Sequence, residues 1–283
     1  MSFADYQSIS GIGLRPQYYP SLLEGRGSEL EFLEIVSENF THSRGRPFQV
    51  LKKLRQNFPI AMHGVSLNIG STDAVRIDYL RKLKSLMKEI EPILVSDHLC
   101  WTGAHQKNWY DLFPLPMTEE TVKNCVEKIK QVQDFLGRQI CLENISTYLR
   151  FQGDEMTEHE FMCEVSTRAD CFLLFDVNNL YVNSVNHHFN AYEFIRQMPI
   201  DRIKQYHLAG HTKMKNFLFD THDEDICEDV WDLYHYSIKT IGPRPTLIER
   251  DDNFPSLEKL VEEAELSKAI MLKAFNQRRR RNA

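Results

Sequence analysis

A chain of 283 residues with 42% hydrophobic residues suits one large α/β domain or two small ones, and its net charge of −6 argues against a general nucleic-acid binder. The start, Met1-Ser2-Phe3-Ala4-Asp5, lacks the basic and apolar regions of a secretory signal, and no apolar run reaches membrane-spanning length. Six scattered cysteines with no Cys-x-x-Cys spacing exclude a disulfide framework and a thiolate metal site, so a cytoplasmic protein with reduced thiols is expected.

Strand and helix signals alternate along the chain. A first short strand is expected at 11–14, a weak helix at 19–24, a second strand at 32–36 and helical spacing over 48–57. The third strand covers 60–65. The helix of 77–90 carries Leu80, Leu83, Leu86 and Met87 on one stripe, and a fourth strand follows at 93–98. The helix of 119–136 has Thr118 as its N-cap and Gly137 as its stop. The fifth strand is 139–144, then a helix at 158–168, an apolar sixth strand at 171–176 and a short helix at 191–197. The seventh strand is 203–211, a long amphipathic helix covers 225–240, the eighth strand is 246–249, and a last helix runs from Ser256 to about Lys268. Apolar strands alternating with helices imply a parallel sheet, and eight such units without a linker predict a closed (β/α)8 barrel over 1–270. A doubly wound open sheet is the alternative. Residues 271–283, with Arg278 to Arg281, are expected to form a disordered basic tail.

The chemistry is positional. Consecutive strands end in His63, His98, Glu143, Asp176, His207 and Glu249. In a barrel of this kind, strand C-termini converge on one rim. Between the last two strands stand Asp220 and His222, which in an extended segment would lie on one side, roughly 6–7 Å apart. With Asn179 these make nine candidate metal ligands. Buried carboxylates are costly without cations, and these strand ends supply no Lys. Nine donors exceed the needs of one metal, so two or three ions are expected, with Glu143 as a bridge. Parity agrees: Cys141 and Glu143 share a face, as do Leu247 and Glu249. His211 and Glu38 are candidate catalytic residues. His211 is expected in the loop, as a substrate contact, a group behind a ligand, or a plain hydrogen-bonded histidine. Glu38 would orient a ligand imidazole or cap a helix. Trp101, Trp109 and Tyr181 are either a peptide-binding wall or packing.

The segments His63-Gly64-Val65, Ser96-Asp97-His98-Leu99-Cys100-Trp101, Asp111-Leu112-Phe113-Pro114-Leu115-Pro116, Leu142-Glu143-Asn144, Asp176 to Asn183, His207-Leu208-Ala209-Gly210-His211 and Pro245 to Glu249 together resemble one family. It is the multinuclear non-haem iron-dependent oxidative enzymes, methanobactin-biosynthesis-like barrels long known only as a domain of unknown function. The resemblance runs from Gly11 to about Glu265. Many members have Glu at the position of Asp97 and Ala at that of Cys100; neither change touches a proposed ligand. The resemblance implies a TIM barrel holding two or three irons of mixed Fe(II)/Fe(III) state. It also implies dioxygen-dependent modification of cysteine residues in a ribosomally made precursor peptide, and a small partner protein that presents the peptide. The ligand pattern is also similar to that of endonuclease IV and xylose-isomerase-like barrels, where Asp-x-x-His binds zinc; here Asp176-x-x-Asn179 places an amide instead. A zinc- or manganese-dependent phosphodiesterase or isomerase, and a catalytically silent metal-binding scaffold, are the competing readings. Zinc or manganese is compatible with the all-nitrogen-and-oxygen donor set.

Overall fold

The computed structural model describes residues 6–105 and 107–281. Eight parallel strands close into one barrel: β1 (Ser10–Gly13), β2 (Phe32–Val36), β3 (Ile60–His63), β4 (Val95–His98), β5 (Cys141–Glu143), β6 (Phe172–Asp176), β7 (Ile203–Leu208) and β8 (Thr246–Ile248). Each pairs with its neighbours in sequence, and β8 closes on β1. The open-sheet alternative is thereby excluded.

The helices wrap the outside: α1 (Tyr19–Leu23), α2 (Glu38–Thr41), α3 (Arg46–Leu54), α4 (Ile77–Ile90), α5 (Glu119–Leu136), α6 (Glu158–Ala169), α7 (Val177–His187), α8 (Ala191–Gln197), α9 (Glu228–Thr240) and α10 (Leu257–Arg281). Local chemistry sets their ends. Thr118 accepts a hydrogen bond from Thr121 N at 3.2 Å, and Gly137 terminates α5 at φ +78°, a conformation that costs glycine no Cβ clash. Residues Leu33, Met62, Val95, Leu142, Leu173, Phe175 and Ile248 point outward into the main core against the helices.

Inward-facing residues alternate with them and stack in layers. Phe32, Ala61, Leu94, Cys141, Leu174 and Leu247 form a small apolar floor inside the barrel. Two residues further along the same strands stand Glu34, His63, Ser96, Glu143, Asp176 and Glu249. A period of two therefore carries the inward column from an apolar layer to a polar one at the C-terminal mouth.

Three elements depart from the sequence reading. The disordered tail expected from residue 271 is instead, up to Arg281, the continuation of α10; Asn282 and Ala283 lie outside the described residues. The cause is helical spacing: Leu260, Ala264, Ser267, Met271 and Ala274 are all buried, so the apolar stripe outlasts Lys268. Second, α7 follows β6 directly where no helix is expected, because its Asn- and Val-rich sequence has poor helix propensity. It forms with Asp176 as N-cap, accepting from Asn179 N at 2.6 Å, and buries Leu180, Val182 and Asn183. Third, β7 ends at Leu208, short of the 203–211 span read for the strand, which leaves His211 in the loop as its spacing implied. Gly210 passes so close to the backbone at Glu224 that a Cβ would lie 2.0 Å from its carbonyl oxygen.

Two insertions ring the mouth. A hairpin of Trp101–Ala104 and Lys107–Phe113 follows β4, and a short ribbon of Thr212–Lys213 and Leu218–Phe219 follows β7. Among the described residues no helix is long and apolar enough to cross a membrane.

Candidate metal centre

The strands deliver the expected ligands in pairs. His98 is the register partner of Glu143, and Asp176 that of His207. The first donor group is His63, His98 and Glu143. His63 Nε2 and His98 Nε2 lie 3.2 Å and 3.4 Å from Glu143 Oε2, and 3.4 Å from each other. Their other nitrogens are occupied. His98 Nδ1–H donates to the Gly64 carbonyl at 3.2 Å. His63 Nδ1 is 2.8 Å from the Ser96 hydroxyl, which itself donates to the Met62 carbonyl at 3.4 Å. Both Nε2 lone pairs are thereby turned toward Glu143, whose Oε2 has no hydrogen-bond partner. Three acceptors at this spacing fit around one cation: tetrahedral bonds of about 2.0–2.1 Å place ligand atoms about 3.3–3.4 Å apart.

The second group is Glu143, Asp176, His207 and Glu249. His207 Nδ1 faces Glu249 Oε2 at 3.0 Å and Glu143 Oε1 at 3.5 Å. Glu143 thus presents one oxygen to each group. Behind His207 stands Glu34, a residue the sequence reading passes over; its Oε1 lies 3.0 Å from His207 Nε2, while Gln205 Nε2 donates to Oε2 at 2.5 Å. A carboxylate behind a ligand imidazole fixes the tautomer and the ring. A charged residue inside the apolar run Phe32-Leu33-Glu34-Ile35-Val36 is the signal that could have found it.

The third group gathers around His222, where Glu249 and Asp251 complete a further donor set. His222 Nδ1 is 3.2 Å from Glu249 Oε2 and 3.4 Å from Asp251 Oδ2; its Nε2 is 2.8 Å from Asp220 Oδ1 and 4.0 Å from Asp176 Oδ2. The extended spacing expected for Asp220 and His222 is corrected here. His222 sits at φ +50°, in the left-handed region, and the turn brings the two side chains far closer than a strand would. Asp251, also absent from the expected set, is held by Arg15 at 2.9 Å. Asn179 is buried beside Asp176, its Nδ2 donating to the Asn144 carbonyl at 3.0 Å, and its Oδ1 has no donor.

The electrostatics describe a cluster short of positive charge. Burial pushes the Asp176 carboxyl well above its ordinary range, and Glu143, Asp220 and Glu249 add to this against His222. Burial also drives His63 well below the usual imidazole value, helped by His98 and His207. Two imidazoles go the other way. Burial would lower His207 and His222, but Glu34, Glu249 and Glu143 outweigh it at the first, and Asp220 and Glu249 at the second. Glu249 is held low by those two imidazolium groups in spite of its burial. Among the described residues, no lysine or arginine pairs with Glu34, Glu143, Asp176, Asp220 or Glu249. The carboxylates that draw His207 and His222 toward the charged form are the ones a metal cation would neutralise. The orphaned Glu143 Oε2, Asp176 Oδ2 and Asn179 Oδ1, with an all-nitrogen-and-oxygen donor set, fit bound divalent or trivalent metal.

The groups open into a cleft of about 690 Å³ with His63, His98, His222 and Glu249 on its floor and Phe113, Tyr148, Leu149 and Phe219 on its walls. Glu38 lines the same cleft but reaches no ligand imidazole. Its Oε1 accepts from Tyr79 OH at 2.6 Å and Val65 N at 3.0 Å, so it braces the loop after His63. His211 contacts the centre indirectly: its Nδ1 is 2.8 Å from Asn178 Oδ1, and Asn178 Nδ2 donates to Asp220 at 2.8 Å. Trp101 and Trp109 meet edge to face at 5.1 Å within the hairpin, and the Tyr181 hydroxyl donates to Asp229 at 2.7 Å; none of the three lines the cleft.

Residues 9–272 match the family model described as RiPP precursor modification enzyme MbnB/TglH/ChrH. A UPF0276 protein of Caulobacter vibrioides (strain NA1000 / CB15N) is 44% identical over 259 residues, covering 92% of each chain. One from Anaeromyxobacter sp. (strain Fw109-5) is 46% identical over 255 residues, covering 90% of this chain and 89% of that protein. Among solved structures, an L-ribulose 3-epimerase superposes with a TM-score of 0.62 at 12% identity, over 98% of this chain and 95% of its own. That likeness shows the xylose-isomerase-like TIM-barrel fold alone.

Proposed function

Since the chain belongs to the family of RiPP precursor modification enzymes MbnB/TglH/ChrH, we propose that it is a multinuclear iron enzyme that uses dioxygen to oxidise cysteine residues of a ribosomally made peptide. The observation that carries this is Glu143: its two oxygens face separate donor groups, one with His63 and His98, the other with His207. A carboxylate so placed could be shared between two ions. When bound, iron supplies the one-electron chemistry with dioxygen that zinc lacks and that no side chain here can provide.

The chain's own residues do the rest. His63, His98 and Glu143 would hold one ion; Glu143, Asp176, His207 and Glu249 would hold a second; His222, Glu249 and Asp251, with Asp220 and Asn179 nearby, would serve a third. Glu34, Ser96 and the Gly64 carbonyl keep the imidazoles aimed. The cleft admits an extended peptide, and its aromatic walls keep water from the reacting cysteine. His211, through Asn178 and Asp220, would steady the third group from outside the cleft lining. A small partner protein presents the peptide, and the reduced thiols suit a cytoplasmic setting.

The test is reconstitution of metal-free protein with ferrous iron or with zinc, followed by dioxygen uptake with Cys-containing peptides. Uptake by the iron form alone is expected. Phosphodiester cleavage by the zinc form, with an iron form inert toward dioxygen and its cognate peptide, would replace this reading.

A further inference from the structure

Beside the metal cleft lies a second cavity of about 560 Å³. Pro114 and Leu149 line both. The partition between them is thin. The Ser146 hydroxyl donates to Asp220 at 2.8 Å on the cleft side, while the next residue, Thr147, lines the cavity and meets His187 Nε2 at 2.8 Å.

The cavity combines an apolar wall with a half-buried acid. Phe151, Met156, Phe189 and Phe194 form the wall, and Glu158, the first residue of α6, faces the space between them. Among the described residues the side-chain partner of Glu158 is Asn183, whose Nδ2 lies 3.3 Å from both oxygens and already donates to the Ile145 carbonyl at 2.9 Å. The other lining carboxylates are engaged: Asp154 accepts from Met117 N at 2.8 Å, and Glu193 pairs with Arg196. Against the three carboxylates Asp154, Glu158 and Glu193 the lining sets one guanidinium, the exposed Arg150. The His187 Nε2–H donates to the Thr147 carbonyl at 2.9 Å, and burial, with Arg150 nearby, lowers its basicity; His159 also lines the cavity.

We propose that this cavity is a side-chain subsite of the peptide site, taking a lysine or arginine close in sequence to the reacting cysteine, with the aliphatic stem along the Phe and Met wall and the cationic end on Glu158. The tie to cysteine chemistry rests on the function proposed above. An apolar cavity by itself accepts any apolar side chain; a half-buried carboxylate whose nearby cation is the exposed Arg150 guanidinium, with no ion pair to it, selects one that ends in positive charge. Burial pushes the Glu158 carboxyl up to about 7, so near neutral pH an incoming ammonium replaces a proton that the site itself holds because it lacks a full counter-charge.

The experiment uses the full chain and two probes, N-acetyl-lysine amide and its uncharged counterpart N-acetyl-norleucine amide, with binding read by ligand-observed NMR. The lysine probe is expected to bind at least about tenfold more tightly, and Glu158→Gln to abolish that preference while norleucine binding persists. Equal affinity of the two probes for the unmodified chain, or no binding of either, overturns the proposal without reference to any variant. Iron uptake is measured on the same samples. A chain that binds the lysine probe but takes up no iron supports the subsite and counts against the metal reading alone. One that takes up iron and ignores the probe overturns the subsite alone.

Discussion

Glu34 and His207 are joined inside the barrel, Oε1 3.0 Å from Nε2, with the opposite face of the imidazole turned to Glu143 and Glu249. Glu34 therefore sets the aim of the imidazole at the centre of the second donor group. Glu34→Gln keeps the shape and removes the charge that orients and strengthens the ligand. Metal affinity, measured by competition with a chromogenic chelator, is expected to fall roughly 10- to 100-fold. An unchanged affinity would separate Glu34 from the centre.

Glu143 is the shared oxygen donor, and its loss is expected to act on more than one ion. Glu143→Gln should lower metal content to about one ion or fewer per chain, because an amide cannot offer two anionic oxygens to two cations. Elemental analysis of anaerobically reconstituted protein decides this; full loading would remove Glu143 as the bridge.

Glu158 gives a pH dependence independent of the metals. Burial raises its carboxyl from the ordinary value of 4.5 to about 7 in the folded chain. The folded state thus binds the proton more tightly than the unfolded one. Between about 4.5 and 7 the native state holds more protons, so stability falls as pH rises through that window, by about 1–3 kcal/mol. Denaturant titrations in the presence of a chelator at pH 5 and pH 7.5 should show this loss, and Glu158→Gln should flatten it. Equal slopes in both proteins would mean that Glu158 is not the group responsible.

The apolar floor beneath the ligands makes a packing prediction. Leu174 is fully buried one inward step below Asp176. Leu174→Ala is expected to cost about 2–5 kcal/mol, as a cavity among rigid strands relaxes poorly. It should also loosen Asp176 and weaken metal retention. A loss below about 1 kcal/mol with metal content intact would show that the layer collapses around the gap.

Much of the centre was legible in the sequence because strand periodicity is a strict geometric rule. In a closed parallel barrel every strand points its C-terminus at the same mouth, so His63, His98, Glu143, Asp176, His207 and Glu249 converge whatever the loops do. Glu34 and Asp251 escaped because their roles depend on what faces them across the barrel. Glu34 looks like an ordinary strand residue until the closure of β1 onto β8 brings β7 within reach. Asp251 earns its position from Arg15, near the other end of the chain.

The sequence by itself determined the eight strand–helix units, their apolar and ligand-bearing faces, and the caps at Thr118 and Gly137, because these follow from spacing and local hydrogen bonding. Tertiary structure alone decided the left-handed turn at His222 and the helix at 177–187. In each of these, packing against a neighbour outweighs a weak local preference. Asn- and Val-rich sequence becomes helix when Leu180 and Val182 are buried, and a non-glycine residue accepts positive φ when its side chain is held among Asp220, Glu249 and Asp251.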